Sequence, residues 1–141
     1  MFDRYPAVKD YFKQAHQTTG TQPRALANAV VAYASNLDRL DVLGDAVGLI
    51  VQKHVSLNIL PEHYPIVGEC LLAAIKETLG DAATEEVLSA WGEAYGQLAE
   101  ILINAEEQVY RANQKKPGGW RGERGFVLTK KIRESDVITS F

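Results

Sequence analysis

A chain of 141 residues, 46% hydrophobic and 23% charged with a formal net charge of −3, is large enough for one domain with an apolar core and too mixed for a fibrous or disordered sequence. No apolar run approaches the ~20 residues that span a bilayer, and the N-terminal MFDRYPAVKD lacks an apolar signal core, so the expected location is the cytoplasm. The single cysteine, Cys70, excludes an internal disulfide and reads as a buried, inert thiol within IVGECLLAAI.

In chain order, Thr21 is placed to cap a helix that carries Leu26, Val30, Tyr33 and Leu37 on one face, with Pro23 tolerated in its first turn. A second helix is expected from about Asp41 to Leu57. Pro61 breaks it, and a third helix begins near Pro61 to Tyr64 and runs to Gly80, a residue suited to helix termination. The fourth and longest follows Thr84, places Glu85 and Glu86 at its positive end, and reaches about Asn113. The fold class is all-α, with no internal repeat.

Charge changes sign along the chain. Residues 1 to 110 hold 7 Lys or Arg against 15 Asp or Glu, whereas residues 111 to 133 hold 8 against 1. The helical pattern stops in the same region, at PGGW (residues 117 to 120), and a strand-like run, FVLTKKI, follows. A domain boundary therefore falls near residue 116. A basic arm for nucleic acid is one reading of the tail; a solvated linker and strand of a second domain is the one adopted, without a nucleic-acid partner.

Two polar residues interrupt apolar faces. His54 shares its face with Val47, Ile50, Val51 and Leu57, the positions that should meet the core. On the last helix Val87, Trp91, Tyr95, Leu98, Leu102 and Val109 form one stripe, and the position completing it between 102 and 109 is Glu106. Unpaired burial of a carboxylate is costly, so Glu106 needs a partner, and His54 is the natural one. Tyr64, ten residues beyond His54, can bring a hydroxyl to the same place. Taken singly, the plainer reading of His54 is a satisfied core residue and that of Glu106 the edge of a buried face. As a pair they match a metal ligand whose second ring nitrogen is fixed by a carboxylate. Zinc is disfavoured because only His16 and His63 remain as nitrogen donors, without partner spacing, whereas haem needs a single protein ligand.

The segments QPRALANAVVAYASN, VQKHVSLNILPEHYPIVGE and SAWGEAYGQLAEILINAEEQVY resemble the haem domain of bacterial flavohaemoglobins, the nitric-oxide dioxygenases. GGWRGERGFVLTKKIRESDVITSF resembles the linker and opening strands of the flavin domain that follows it, a segment that single-domain bacterial haemoglobins lack. The resemblance implies a globin-like helical fold over 1–113, a linker over 114–120, and the start of a ferredoxin-reductase-like FAD-binding domain over 121–141. It implies that His54 is the proximal ligand of haem b, with Tyr64 and Glu106 as the hydrogen-bonding pair that tunes catalysis through it. Phe12 matches the phenylalanine that packs on the porphyrin, and Gln22 and Leu26 match the distal pair that shapes the gas pocket. Lys53 matches a lysine that tunes haem and flavin potentials, with a plain surface lysine as the alternative.

Family members begin earlier, with two more helices and a distal tyrosine that neither Tyr5 nor Tyr11 matches; only eleven residues precede Phe12 here. The expectation is a globin domain incomplete at its N-terminus. In the full-length family nitric oxide and dioxygen give nitrate, with electrons from NAD(P)H through FAD in a reductase domain of the same chain. The reductase segments needed for turnover are not among these residues. The alternative is a single-domain haemoglobin that binds oxygen without catalysis.

Overall fold

The computed structural model describes residues 4–6, 21–36 and 44–141. Four α-helices carry the described fold: α1 (Thr21–Ala34), α2 (Gly44–Ser56), α3 (His63–Leu79) and α4 (Glu85–Gln114). The expected helices are therefore present. The start at Asp41 and the position of Leu37 lie outside the described residues. None of these helices is long and apolar enough to cross a membrane.

Local chemistry sets the ends. The Thr84 hydroxyl accepts the Val87 N–H at 3.3 Å, and Glu85 and Glu86 occupy the first turn of α4, where exposed N–H groups favour negative charge. Arg111 lies in the last turn, where the dipole favours a cation. Gly80 ends α3 with φ +53°, a conformation that side chains resist, and a short 3-10 turn (Gly80–Ala82) leads to α4. Between α2 and α3 the chain turns through Asn58, at φ +54°. The Leu60 N–H is taken by His63 Nδ1 at 3.0 Å, so this corner is tied before α3 begins.

Helix α4 is the spine against which α1, α2 and α3 all pack. Its buried residues Leu98, Ala99 and Leu102 meet Val30 and Tyr33 of α1, Val51 of α2 and Tyr64 of α3 in one core cluster. Trp91, Tyr95 and Val109 flank that core half-buried. Each fully buried leucine contributes roughly 1.5–3 kcal/mol. Cys70, expected to be buried, is only half-buried because it lies beside the exposed Glu69, off the face that α3 turns to α4.

The tail departs from expectation. FVLTKKI forms no strand except at its last residue: β1 is Ile132–Arg133, paired antiparallel with β2, Thr139–Ser140, in the register Ile132↔Ser140 and Arg133↔Thr139. Phe126, Val127 and Leu128 have β-prone side chains, but no neighbouring strand among the described residues offers hydrogen bonds, and all three are exposed. Strand propensity describes fit to a sheet face, and without a sheet it has nothing to act on.

One close contact fixes how α3 meets α4. Gly68 is buried, and a Cβ there would lie 2.7 Å and 3.0 Å from two carbons of the Tyr95 ring. Tyr95 cannot retreat freely, since its hydroxyl donates to the Tyr64 carbonyl at 2.8 Å. Gly68→Ala should therefore destabilise the fold by about 1–3 kcal/mol, read as a lower denaturant midpoint, and Gly92→Ala, 3.7 Å from its nearest neighbour Leu72, should cost far less.

Candidate functional site

The last turn of α2, the first turn of α3 and the sixth turn of α4 meet at one oxygen atom. Glu106 Oε1 accepts the Tyr64 hydroxyl at 2.6 Å and lies 2.7 Å from His54 Nδ1. His54 Nδ1 also lies 3.1 Å from the Tyr64 hydroxyl oxygen, with the two rings edge to face. The three residues proposed from spacing alone are thus brought together.

The network fixes the protons. A phenol has one hydrogen, and Tyr64 donates it to Glu106, so the Tyr64 oxygen facing His54 is an acceptor. Two acceptors around Nδ1 place the imidazole proton there. In the neutral imidazole His54 Nε2 then carries the lone pair. Among the described residues His54 makes its side-chain bonds only through Nδ1, which leaves Nε2 as a donor atom toward a ligand. The side chain is 31% exposed, whereas that of Glu106 is 2% exposed, so the outer nitrogen is reachable and the inner partner is sealed.

Burial pushes the Tyr64 phenol well above its usual range, and the hydrogen bond to Glu106 and its negative charge push the same way. Tyr64 therefore stays protonated and acts as a donor. Burial raises Tyr95 as well. Its bond to the Tyr64 carbonyl holds the backbone of the residue that holds Glu106.

Lys53 and Leu26 do not join this network. Lys53 is exposed, one residue before His54. Leu26 lies on α1, 36% exposed, on the helix that supplies Val30 and Tyr33 to the core. Phe12 and the side chain of Gln22 lie outside the described residues. Among those residues no three His, Cys, Asp or Glu gather as a metal-holding set, so the donor offered at this site is the single Nε2 of His54. Such a donor set would suit a metal cofactor that needs one protein ligand.

Sequence reasoning missed Tyr110. The stripe was continued through Val109, yet Val109 is half-buried and Tyr110 is buried at 6% exposure, with its hydroxyl donating to the Ile59 carbonyl at 2.8 Å. The step of four from Leu98 to Leu102 to Glu106 was the signal that pointed to it.

Comparison with known proteins agrees with the helical fold. The globin family model matches residues 1–102. A flavohemoprotein of Burkholderia sp. (strain TH2) is 59% identical over the whole of this chain and 36% of its own length, so the chain spans little more than a third of such relatives. A bacterial globin from Campylobacter jejuni superimposes with a TM-score of 0.73 at 42% identity, over 79% of this chain and 78% of its own. The flavohemoglobin from Malassezia yamatoensis, solved with bound FAD and heme, superimposes with a TM-score of 0.72 at 35% identity, over 78% of this chain and 30% of its own. The chain belongs to the globin family, with flavohemoproteins among its relatives.

Proposed function

We propose that the protein binds a b-type haem through His54 Nε2 and serves in the cytoplasm as the oxygen-binding globin part of a nitric-oxide dioxygenase. The observation that carries this reading is the sealed Glu106–Tyr64 pair behind an accessible histidine. When bound, haem supplies the iron at which dioxygen oxidises nitric oxide to nitrate.

The chain's own residues prepare that site. Glu106, accepting the Nδ1 proton, draws it outward and raises electron density on the imidazole, which strengthens Nε2 as a donor. Tyr64, kept protonated by burial, holds the carboxylate oxygen at 2.6 Å and prevents it from turning away. Both are positioning residues that act through His54. With haem bound, an electron-rich His54 would favour activation of oxygen over its storage. By the family match, Leu26, Phe12 and Gln22 would supply the apolar contact, the ring packing and the polar group of a gas pocket.

The domain division follows the same reading: a globin part over 1–113, a linker over 114–120 and the opening of a flavin domain over 121–141. It is supported by the end of α4 at Gln114 and by the exposed Phe126, Val127, Val137, Ile138 and Phe141. Such side chains suit a sheet that a further domain would complete. FAD and NAD(P)H would then be held by that domain, with Lys53 near the electron path. A second reading, a self-contained oxygen-binding globin, is favoured by the Campylobacter jejuni globin, which this chain covers over 78% of its length.

Purified chain supplied with haem should show a five-coordinate ferrous spectrum that His54→Ala abolishes; an unchanged spectrum in the variant would end the assignment. In haem-loaded Glu106→Gln the iron–histidine stretching frequency should fall, and an unmoved band would reduce Glu106 to a packing residue. The 141 residues taken alone, mixed with NADH, FAD, oxygen and nitric oxide, should not sustain NADH consumption. Sustained consumption dependent on nitric oxide would show that the electron path lies within them.

A further inference from the structure

The ring of His54 is held by Glu106, and its backbone is held from the same helix one turn further on. The His54 carbonyl accepts the N–H groups of Leu57 and Ile59, both at 3.0 Å. Ile59 in turn presents its carbonyl to the Tyr110 hydroxyl at 2.8 Å. Between these anchors Asn58 sits at φ +54°, a left-handed conformation in which asparagine can end a helix. Tyr110 lies four residues beyond Glu106, so one face of α4 grips the side chain of His54 and the turn that follows it.

Tyr110 is itself pinned by the chain leaving α4. Gly118 turns at φ +71°, and a Cβ on Gly119 would lie 2.0 Å from the Asn113 carbonyl oxygen, so only glycine lets the chain fold this tightly against the helix end. The reversal brings Arg121 back onto α4. Its guanidinium carbon lies 4.7 Å from the Tyr110 ring centroid, and its Nη1 lies 2.7 Å from Glu107 Oε2. Glu107 also accepts from Arg111 at 2.7 Å, and these bonds, Arg111 first, hold its carboxyl below the usual range.

We propose that Tyr110 is a third positioning residue for His54, acting on the Leu57–Leu60 turn as Glu106 acts on the ring, and that Arg121 locks it in place from the segment beyond α4. The route from tail to ligand is short: Arg121, Tyr110, Ile59, His54. Displacement of the segment from residue 121 onward would reach the backbone of His54 through packed and bonded groups, without movement of α2 as a whole. The proposal concerns the placement of His54 and stands apart from what His54 binds.

The test is amide hydrogen exchange at Ile59 in the 141-residue chain. Tyr110→Phe should speed it by about tenfold, the fold-change of one ordinary hydrogen bond. Arg121→Gln should speed it in the same direction, and the double variant should be no faster than Tyr110→Phe alone, because both act on one route. Arg111→Gln, which strips the other guanidinium from Glu107, should leave Ile59 unchanged. In haem-loaded chain, Tyr110→Phe should shift or broaden the iron–histidine band, which loss of packing elsewhere would not do. Unchanged Ile59 exchange in Tyr110→Phe, or strictly additive effects in the double variant, would overturn the proposal. Should Tyr110→Phe fail to fold, Arg121→Gln, at the surface, decides it against Arg111→Gln. Failure to take up haem would sink the proposed function and leave the exchange result standing.

Discussion

A carboxylate in the interior governs the arrangement of the helices. Glu106 is 2% exposed, and an acceptor so deprived of water must receive hydrogen bonds from protein. It receives them from α2 and α3 at a single oxygen, which makes the relative placement of three helices a condition of burying it. Among the described residues no buried side-chain polar atom lacks a partner. Removing the acceptor would leave the Tyr64 hydroxyl and the His54 N–H without it, at about 1–3 kcal/mol for each buried unsatisfied group. The apolar core around Leu98 and Leu102 supplies the cohesion, and the carboxylate ties α2 and α3 to α4 at one point.

Much of this was legible because period exposes exceptions. A polar residue at a core position of a helix stands out against a stripe of apolar ones, and His54 and Glu106 were found in that way. Helix ends were equally plain where side chains do the capping, as at Thr84, or where glycine relieves the backbone, as at Gly80. Tyr110 was not found, because a hydroxyl that bonds a backbone carbonyl leaves no partner to read in the sequence, and a tyrosine on an apolar face looks like any core aromatic. The left-handed turn at Asn58 is by contrast local: the Asn58 and Ile59 N–H groups return to the Val55 and His54 carbonyls, and asparagine is one of the residues that can end a helix in this way.

The tail shows the opposite case. FVLTKKI carries strong local preference and almost no structure, since a strand is completed by its neighbour. The basic residues that set this region apart are put to specific use at Arg121, on Tyr110 and Glu107, and at Arg124, which stacks over Trp120 and Phe126 at 5.4 Å. Part of the charge that looked like a general property of the segment resolves into cations placed over aromatic faces and beside two carboxylates, Glu107 and Asp136.

Helix α4 runs for 30 residues, and at about 1.5 Å per residue it is a rod of about 45 Å. Its buried positions act as graduations on a ruler: Leu98 and Leu102 fit the core, Glu106 meets His54, and Tyr110 meets Ile59. Such a rod has no neighbouring setting. A slip by a single residue would turn every side chain by about 100° about the axis and carry the carboxylate out of reach of a 2.7 Å bond. The helix is thus free to bend slightly but barred from sliding or rolling, and the distance between its two ends becomes a fixed dimension of the molecule.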